Sequence, residues 1–166
     1  MAGEIVSVDR LRELLSYDPE TGVFVWLRRT NAMVPSGAQA GSVNAVGYRY
    51  ITIKRKHYLA HRLAWAMSHG SWPAIQIDHI NCIKDDNRLC NLREATRSLN
   101  MENRRYAQKN NVSGLLGAHW APKDQVWVAH ITLNRKTVRL GCFQSPELAH
   151  EAYLRAKRLL HKGCTL

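Results

Sequence analysis

Two short alternating runs, "IQIDHI" at 75–80 and "NLREA" at 91–95, flank the polar loop "NCIKDDNRLC" and lead straight into Thr96, a good helix N-cap residue. The order strand, loop, strand, helix predicts a β-β-α unit, with the helix running to about Tyr106. No other stretch constrains the fold as tightly. Residues 77–105 also carry an Asp-His pair, five asparagines and a run of arginines.

That composition suits phosphodiester hydrolysis, which needs an activated water, a cation on the phosphate and help for the leaving oxygen. Asp78 can supply a hard carboxylate ligand, and His79 can take the proton from water. An amide on the following helix can complete the metal site. Asn100 and Asn103 lie three apart there, so either can face the strands. Asn91 opens the second strand, where its amide can hold the His79 segment or the imidazole. Oxygen ligands with water-filled positions suit one divalent ion, Mg²⁺ or Mn²⁺, better than zinc. Alternation sends Asp78 and His79 to opposite faces, so the site requires the strand to bend or end there.

The order Asp78-His79, Asn91, Asn100 resembles the motif of the His-Asn-His (HNH) endonucleases, in the variant whose first His is Asp and whose last is Asn. "AHRLAWAMSHGSWPAIQIDHINCIKDDNRLCNLREATRSLNMENRR" resembles the phage and homing-type branch over its whole length, including His61-Arg62-Leu63 and the Asp-Asn-Arg-Leu before Cys90. The resemblance implies a β-β-α-metal fold with one divalent ion on Asp78 and Asn100. It makes His79 the general base, positioned by Asn91, and it implies 5′-phosphate and 3′-hydroxyl products. His61 belongs to the pattern and can brace the fold or touch phosphate.

The charge points to the same kind of partner. The formal net charge is +11, divided as 0 over residues 1–53, +6 over 54–110 and +5 over 111–166. Such a surface favours a polyanion, and double-stranded DNA is the expected one. Arg93, Arg97, Arg104 and Arg105 would form a solvated helix face in an ordinary protein. Beside a phosphate-cleaving site they become backbone contacts, with Arg93 or Arg97 able to stabilise the transition state. No apolar run approaches the ~20 residues of a spanning helix and the N-terminus lacks a signal-peptide core, so the expected location is the cytoplasm, that of a bacterial host for a phage-encoded chain. Cys82, Cys90, Cys142 and Cys164 form no C-x-x-C pair or zinc-finger spacing and read as free thiols.

The N-terminal part reads as an α/β accessory region. Asp9 can cap a short helix with Leu11, Leu14 and Leu15 on one face, and Val23–Leu27 reads as a strand after the turn at 18–22. Residues 32–47 read as a loop. A hairpin turning near Arg55-Lys56 then precedes a helix on Leu59, Leu63, Ala66 and Met67 that ends at Gly70.

After the polar linker at 107–113 the pattern changes. "LLGAHWA", "VWVAHITL" and "KTVRLGCF" read as a three-stranded meander. Ser145 caps a following helix, with Pro146 and Glu147 in its first turn and Leu148, Ala149, Ala152, Ala156, Leu159 and Leu160 as its apolar face. The helix covers one side of the sheet and leaves a polar, basic side open. Residues 113–163 resemble the Apetala-two/ethylene-response-factor DNA-binding domain, known from plant transcription factors and also found fused to phage HNH nucleases. That resemblance implies a sheet in the major groove, with His119, His130, Thr132, Thr137 and Arg139 facing DNA and Arg135 and Lys136 near the backbone. Trp127, Ala129, Ile131, Val138 and Leu140 then face the helix. Plant members hold arginines at several positions occupied here by His and Thr, so base preference does not carry over.

The expected fold class is α+β: an accessory region at 1–56, an HNH unit at 57–106, a linker at 107–113 and a sheet domain at 114–166. His119, His130, His150 and His161 read as solvent- or DNA-facing, and Trp65, Trp72, Trp120 and Trp127 as core or half-core. The expected function is a metal-dependent DNA endonuclease, and the alternative is a DNA-binding regulator with an inactive HNH unit. One site per chain suits nicking by a monomer, whereas a double-strand break needs a homodimer or two sequential events.

Overall fold

The computed structural model describes residues 6–29, 34–108 and 110–165. It is a mixed α/β structure of several small antiparallel sheets and helices, divided into two compact units, Met1–Ala95 and Thr96–Leu166. No described helix is long and apolar enough to cross a membrane.

In the first unit, α1 (Val8–Leu14) is capped by Ser7, whose hydroxyl accepts from the Arg10 amide. Asp9, the expected cap, lies inside the first turn and complements the helix dipole. The strands β1 (Leu15–Tyr17) and β2 (Phe24–Trp26) pair antiparallel around the turn that Asp18 closes on Glu20 and Thr21. The expected strand at 23–27 is thus one residue shorter at each end. Within the expected loop at 32–47, β3 (Ser42–Val43) pairs with β4 (Arg49–Ile53); residues 30–33 lie outside the described ones. The hairpin of β4 and β5 (Lys56–Leu59) turns on Lys54 and Arg55, both left-handed at φ 48° and 65°, one residue before the expected position. Left-handed pairs of this kind match the twist of the flanking strands. Next, α2 (Ala60–His69) stops at Gly70, whose φ of 73° closes the helix with an N–H bond to Ala66.

The core of this unit joins Leu11 and Leu15 to Phe24, Trp26, Ile51 and Leu63, and reaches Ile77 and Leu92. These last two belong to β6 (Gln76–His79) and β7 (Leu92–Ala95), so the hairpin of the motif is anchored in the core by one apolar residue per strand. His61 is buried at the edge of the core with its Nδ1 lacking a hydrogen-bond partner. Burial, helped by the neighbouring His79 and Arg62 charges, pulls its pKa down to about 3.

The second unit opens with α3 (Arg97–Glu102), capped by Thr96 as expected. It ends at Glu102, well short of Tyr106. Asn103 closes it, and the Asn103 side chain then accepts from the Thr165 hydroxyl at 2.7 Å. The strands β8 (Ala118–Ala121), β9 (Val126–Leu133) and β10 (Lys136–Phe143) form one sheet with β9 in the centre, and α4 (Pro146–Leu160) packs on it. Ser145 caps α4 through the Leu148 amide.

Two details differ from the sequence pattern. The helix stripe that faces the sheet is Ala149, Ala152, Tyr153, Ala156 and Lys157, whereas Leu148 and Leu160 are half exposed and Leu159 is 84% exposed. Small residues let α4 approach closely, and Tyr153 fills the space left by Gly117, so the bulky leucines are turned out. The fully buried Lys157 donates its ammonium to the Arg104 carbonyl. In β10, a bulge between Arg139 and Gly141 inserts Leu140, which still packs against the cluster of Ala118, Ala129 and Ala149 as expected. Val138, Gly141 and Phe143 therefore share the helix-side face with Ile131, Ala129 and Trp127, although Val138 stays exposed.

Gly117 sits at φ +80°, and a Cβ there would lie 2.1 Å from Tyr153 Cγ. Gly117→Ala should therefore destabilise the protein by about 1–3 kcal/mol in urea denaturation. The His61 shift gives a second expectation. Below the ordinary value of 6.5 the unfolded chain takes up a proton that the folded one refuses, so acid costs stability down to about pH 3. His61→Phe should gain on the wild type by about 1.4 kcal/mol per pH unit lowered through that window. Parallel stability curves for the two proteins would show that His61 titrates normally in the fold.

Candidate active site

The register of β6 and β7 sets Asp78 opposite Arg93 and His79 opposite Leu92. Asp78 is buried, and its Oδ2 accepts from Arg93 Nε at 3.0 Å and from Nη2 at 2.8 Å. The strand ends at His79, where the Cys82 amide bonds back to the His79 carbonyl and Cys82 adopts φ 63°. Alternation is kept up to that point, and both acidic and imidazole side chains are nonetheless enclosed.

His79 packs edge-on to His61, with ring centroids 4.9 Å apart, and lies 6.0 Å from the Tyr48 ring. Burial is the main influence on its pKa and lowers it, opposed by the Asn87 side chain and by Asp78, Asp86 and Asp85. The imidazole is thus held toward its neutral form, the state that can accept a proton.

Asn91 closes a 3₁₀ turn at Leu89–Asn91 just before β7 instead of opening the strand. Its side chain accepts from the Asn81 amide at 2.9 Å and donates to the Asp86 carbonyl at 2.8 Å, while its own carbonyl accepts from the Ile80 amide. Of the two roles open to it, these bonds serve the first: Asn91 fixes the segment that follows His79. Asp86 adds a clamp on Asn81 and Arg88, which holds its carboxyl at about 2.

Two neighbours of His79 were not singled out from sequence. Asn87 is almost fully buried beside it, and its carbonyl accepts from Tyr17 Oη. The only sequence signal for Asn87 is its place within the Asp-Asn-Arg-Leu run. Tyr48 has none, since it stands just outside β4.

Asn100 lies half-buried on α3, with its amide bonded to the Thr96 carbonyl. Asn103 is buried on the Thr165 hydroxyl, and Arg105 donates to Thr165 as well. Arg97, Arg104 and Arg135 line a cleft of about 460 Å³ in the second unit together with His130, Thr132 and His161.

The open side of the sheet brings together the residues expected there. His119 stacks on His130 at 4.6 Å with their ring nitrogens in contact, and Thr132 faces Thr137. Arg139 pairs across from His130 and donates to Cys142 Sγ. Lys136 and Arg135 occupy the exposed end of the hairpin. Burial, His119 and Arg139 together lower the pKa of His130. Two expectations are corrected: His161 is buried, bonded through Nε2 to the Thr132 carbonyl, and His150 is half-buried on the Leu116 carbonyl. Trp120 is half exposed and packs against Trp127, in keeping with a half-core position.

Among the described residues no group of three or more His, Cys, Asp and Glu could hold a metal ion. The hard oxygens of Asp78 and of an asparagine amide nevertheless fit Mg²⁺ or Mn²⁺ in type. All four cysteines are free.

Residues 58–102 match the family model described as HNH endonuclease. A solved structure from work on DNA binding and cleavage by the HNH homing endonuclease I-HmuI is similar at a TM-score of 0.44 and 19% identity, over 95% of this chain and 93% of that one. No curated protein matches. The segment that carries Asp78, His79, Asn91 and Asn100 is thus an HNH endonuclease domain, and the chain that bears it is a nuclease.

Proposed function

We propose that the protein is a metal-dependent DNA endonuclease that hydrolyses phosphodiester bonds to 5′-phosphate and 3′-hydroxyl ends. The observation that carries the reading is the buried imidazole of His79, held toward neutrality one residue after the Asp78 carboxylate. A bound divalent ion, Mg²⁺ or Mn²⁺, would supply charge neutralisation for the phosphate and the leaving oxygen. Asp78 and Asn100 are the protein ligands in this reading. Asn100 is the ligand that the sequence resemblance implies, and the Asn103 amide oxygen accepts from Thr165. His79 accepts the proton from the attacking water. Asn91 keeps the imidazole in place by tying down the segment that follows it.

The sheet of the second unit adds sequence recognition. His119, His130, Thr132, Thr137 and Arg139 offer donors and acceptors on one open face, which supports base readout in a major groove. Arg135 and Lys136 suit phosphate contacts, as do Arg97 and Arg104. The sequence resemblance to the Apetala-two/ethylene-response-factor domain supports this assignment.

One observation favours a second reading, a DNA-binding regulator without cleavage. Arg93 is paired with Oδ2 of the Asp78 carboxylate, which the first reading assigns to the metal. A Mg²⁺-dependent nicking assay on supercoiled plasmid separates the two, because the regulator leaves the plasmid intact.

His79→Ala should lower cleavage by about 10²-fold or more with DNA and metal binding nearly unchanged. Near-normal cleavage would remove His79 from the mechanism. Asp78→Ala should lose metal affinity as well as rate, as should Asn100→Ala. If Asn103→Ala loses the metal and Asn100→Ala does not, the helix register is wrong. On the sheet, Arg139→Ala should cost ~1–3 kcal/mol and relax preference at one base position, while Lys136→Ala should weaken binding to every sequence and lower the salt slope by ~1. Unchanged binding by both variants, read by fluorescence anisotropy across salt, would take the sheet out of DNA recognition.

A further inference from the structure

A buried carboxylate needs a counter-charge, and at Asp78 the structure supplies one from the facing strand. The Asp78 side chain is 7% exposed, and Arg93 donates to its Oδ2 from both Nε and Nη2. Left alone, such a charge would be strongly destabilising. Arg93 is held there by strand register, since Asp78 and Arg93 are cross-strand partners on one face of the hairpin. Its side chain is itself 25% exposed, so the guanidinium has a route to solvent that needs no repacking of the core.

We infer that Arg93 is an exchangeable counter-ion of the metal site: it neutralises Asp78 in the metal-free protein and leaves the carboxylate when a divalent cation binds. This rests on the metal reading of Asp78 proposed above. A divalent ion and a guanidinium cannot both sit within bonding distance of one carboxylate oxygen without strong repulsion. The ion, with twice the charge on a smaller radius, takes the oxygen. The displaced guanidinium remains tethered to β7 next to the metal, where it can reach a phosphate oxygen. Arg93 is a positioning residue in this scheme. It orders the Asp78 side chain, and it makes metal binding and the release of a cation beside the metal one event.

The scheme makes an unusual demand on the variant. If Arg93 only oriented Asp78 toward the metal, its removal would weaken metal binding. As a competitor, its removal should tighten it. Isothermal titration of the full-length protein with Mn²⁺ should give Arg93→Met a dissociation constant about 10-fold or more below that of the wild type. Its metal-free melting temperature should fall, and its rise on adding Mn²⁺ should exceed that of the wild type. Equal or weaker Mn²⁺ binding by Arg93→Met overturns the exchange. Should Arg93→Met fail to fold without metal, Arg93→Lys carries the test. Its ammonium makes fewer bonds to Oδ2, so it too must bind Mn²⁺ more tightly than the wild type, and equal or weaker binding overturns the inference. Asp78→Asn must abolish the tightening in either background. In the wild-type protein the Arg93 Nε–H resonance should be protected from exchange without metal and lose that protection in saturating Mg²⁺. A signal indifferent to Mg²⁺ in a protein that binds it overturns the exchange alone, whereas a wild-type protein that binds neither ion overturns the metal reading and the exchange with it.

Discussion

Four cross-strand pairs, from Gln76 with Ala95 to His79 with Leu92, hold the chemistry of this protein in place. A slip of one residue would reverse every side chain on the hairpin and carry Asp78 away from Arg93. The hairpin is short, and its own hydrogen bonds could not protect that register alone. Ile77 and Leu92 insert into the core of the first unit, and the loop between the strands is cross-tied by Asn81, Asp86 and Asn91. The polar residues that read as chemistry are therefore also the structural ties that keep the chemistry aligned.

Burial of polar groups is concentrated here. Asp78, His79, Asn87 and Asn91 are all buried in the first unit, with His61 beside them. Each must find partners or change its charge state. The carboxylate finds Arg93, the amides find backbone groups, and the imidazoles shift toward neutrality. A catalytic base benefits from the last of these, because a histidine that stays neutral is ready to accept a proton. His61 shares the effect and pays its cost in acid stability without any assigned contact to substrate.

Much of this could be read from the chain. The strands around Asp78 and Asn91, the Thr96 and Ser145 caps and the Gly70 stop follow from local chemistry that needs no tertiary knowledge. The motif order brought Asp78, His79 and Asn91 into one hairpin for the same reason. What could not be read depends on packing between distant segments. Tyr48 and Asn87 reach His79 from outside the strands that carry the motif, and no local pattern sets either of them beside the imidazole, although Asn87 lies in the Asp-Asn-Arg-Leu run. The face of α4 was misread because hydrophobicity favours its leucines, whereas close approach to the sheet favours Ala149 and Ala152 around Tyr153. Ser7 displaced Asp9 as the α1 cap because both can serve and only the path of the preceding chain decides.

The two tight hairpins show the same choice of residue at their tips. Lys54-Arg55 and Asn134-Arg135 occupy left-handed turn positions where glycine would sit without strain. A branched or long side chain there costs roughly 1 kcal/mol per residue. Three of these four residues are cationic, and all four project at the ends of ribbons. The chain thus surrenders some hairpin stability to carry positive charge at these exposed turns. A thermostabilised version made by placing glycine in those turns would be a tougher protein with a blunter electrostatic reach.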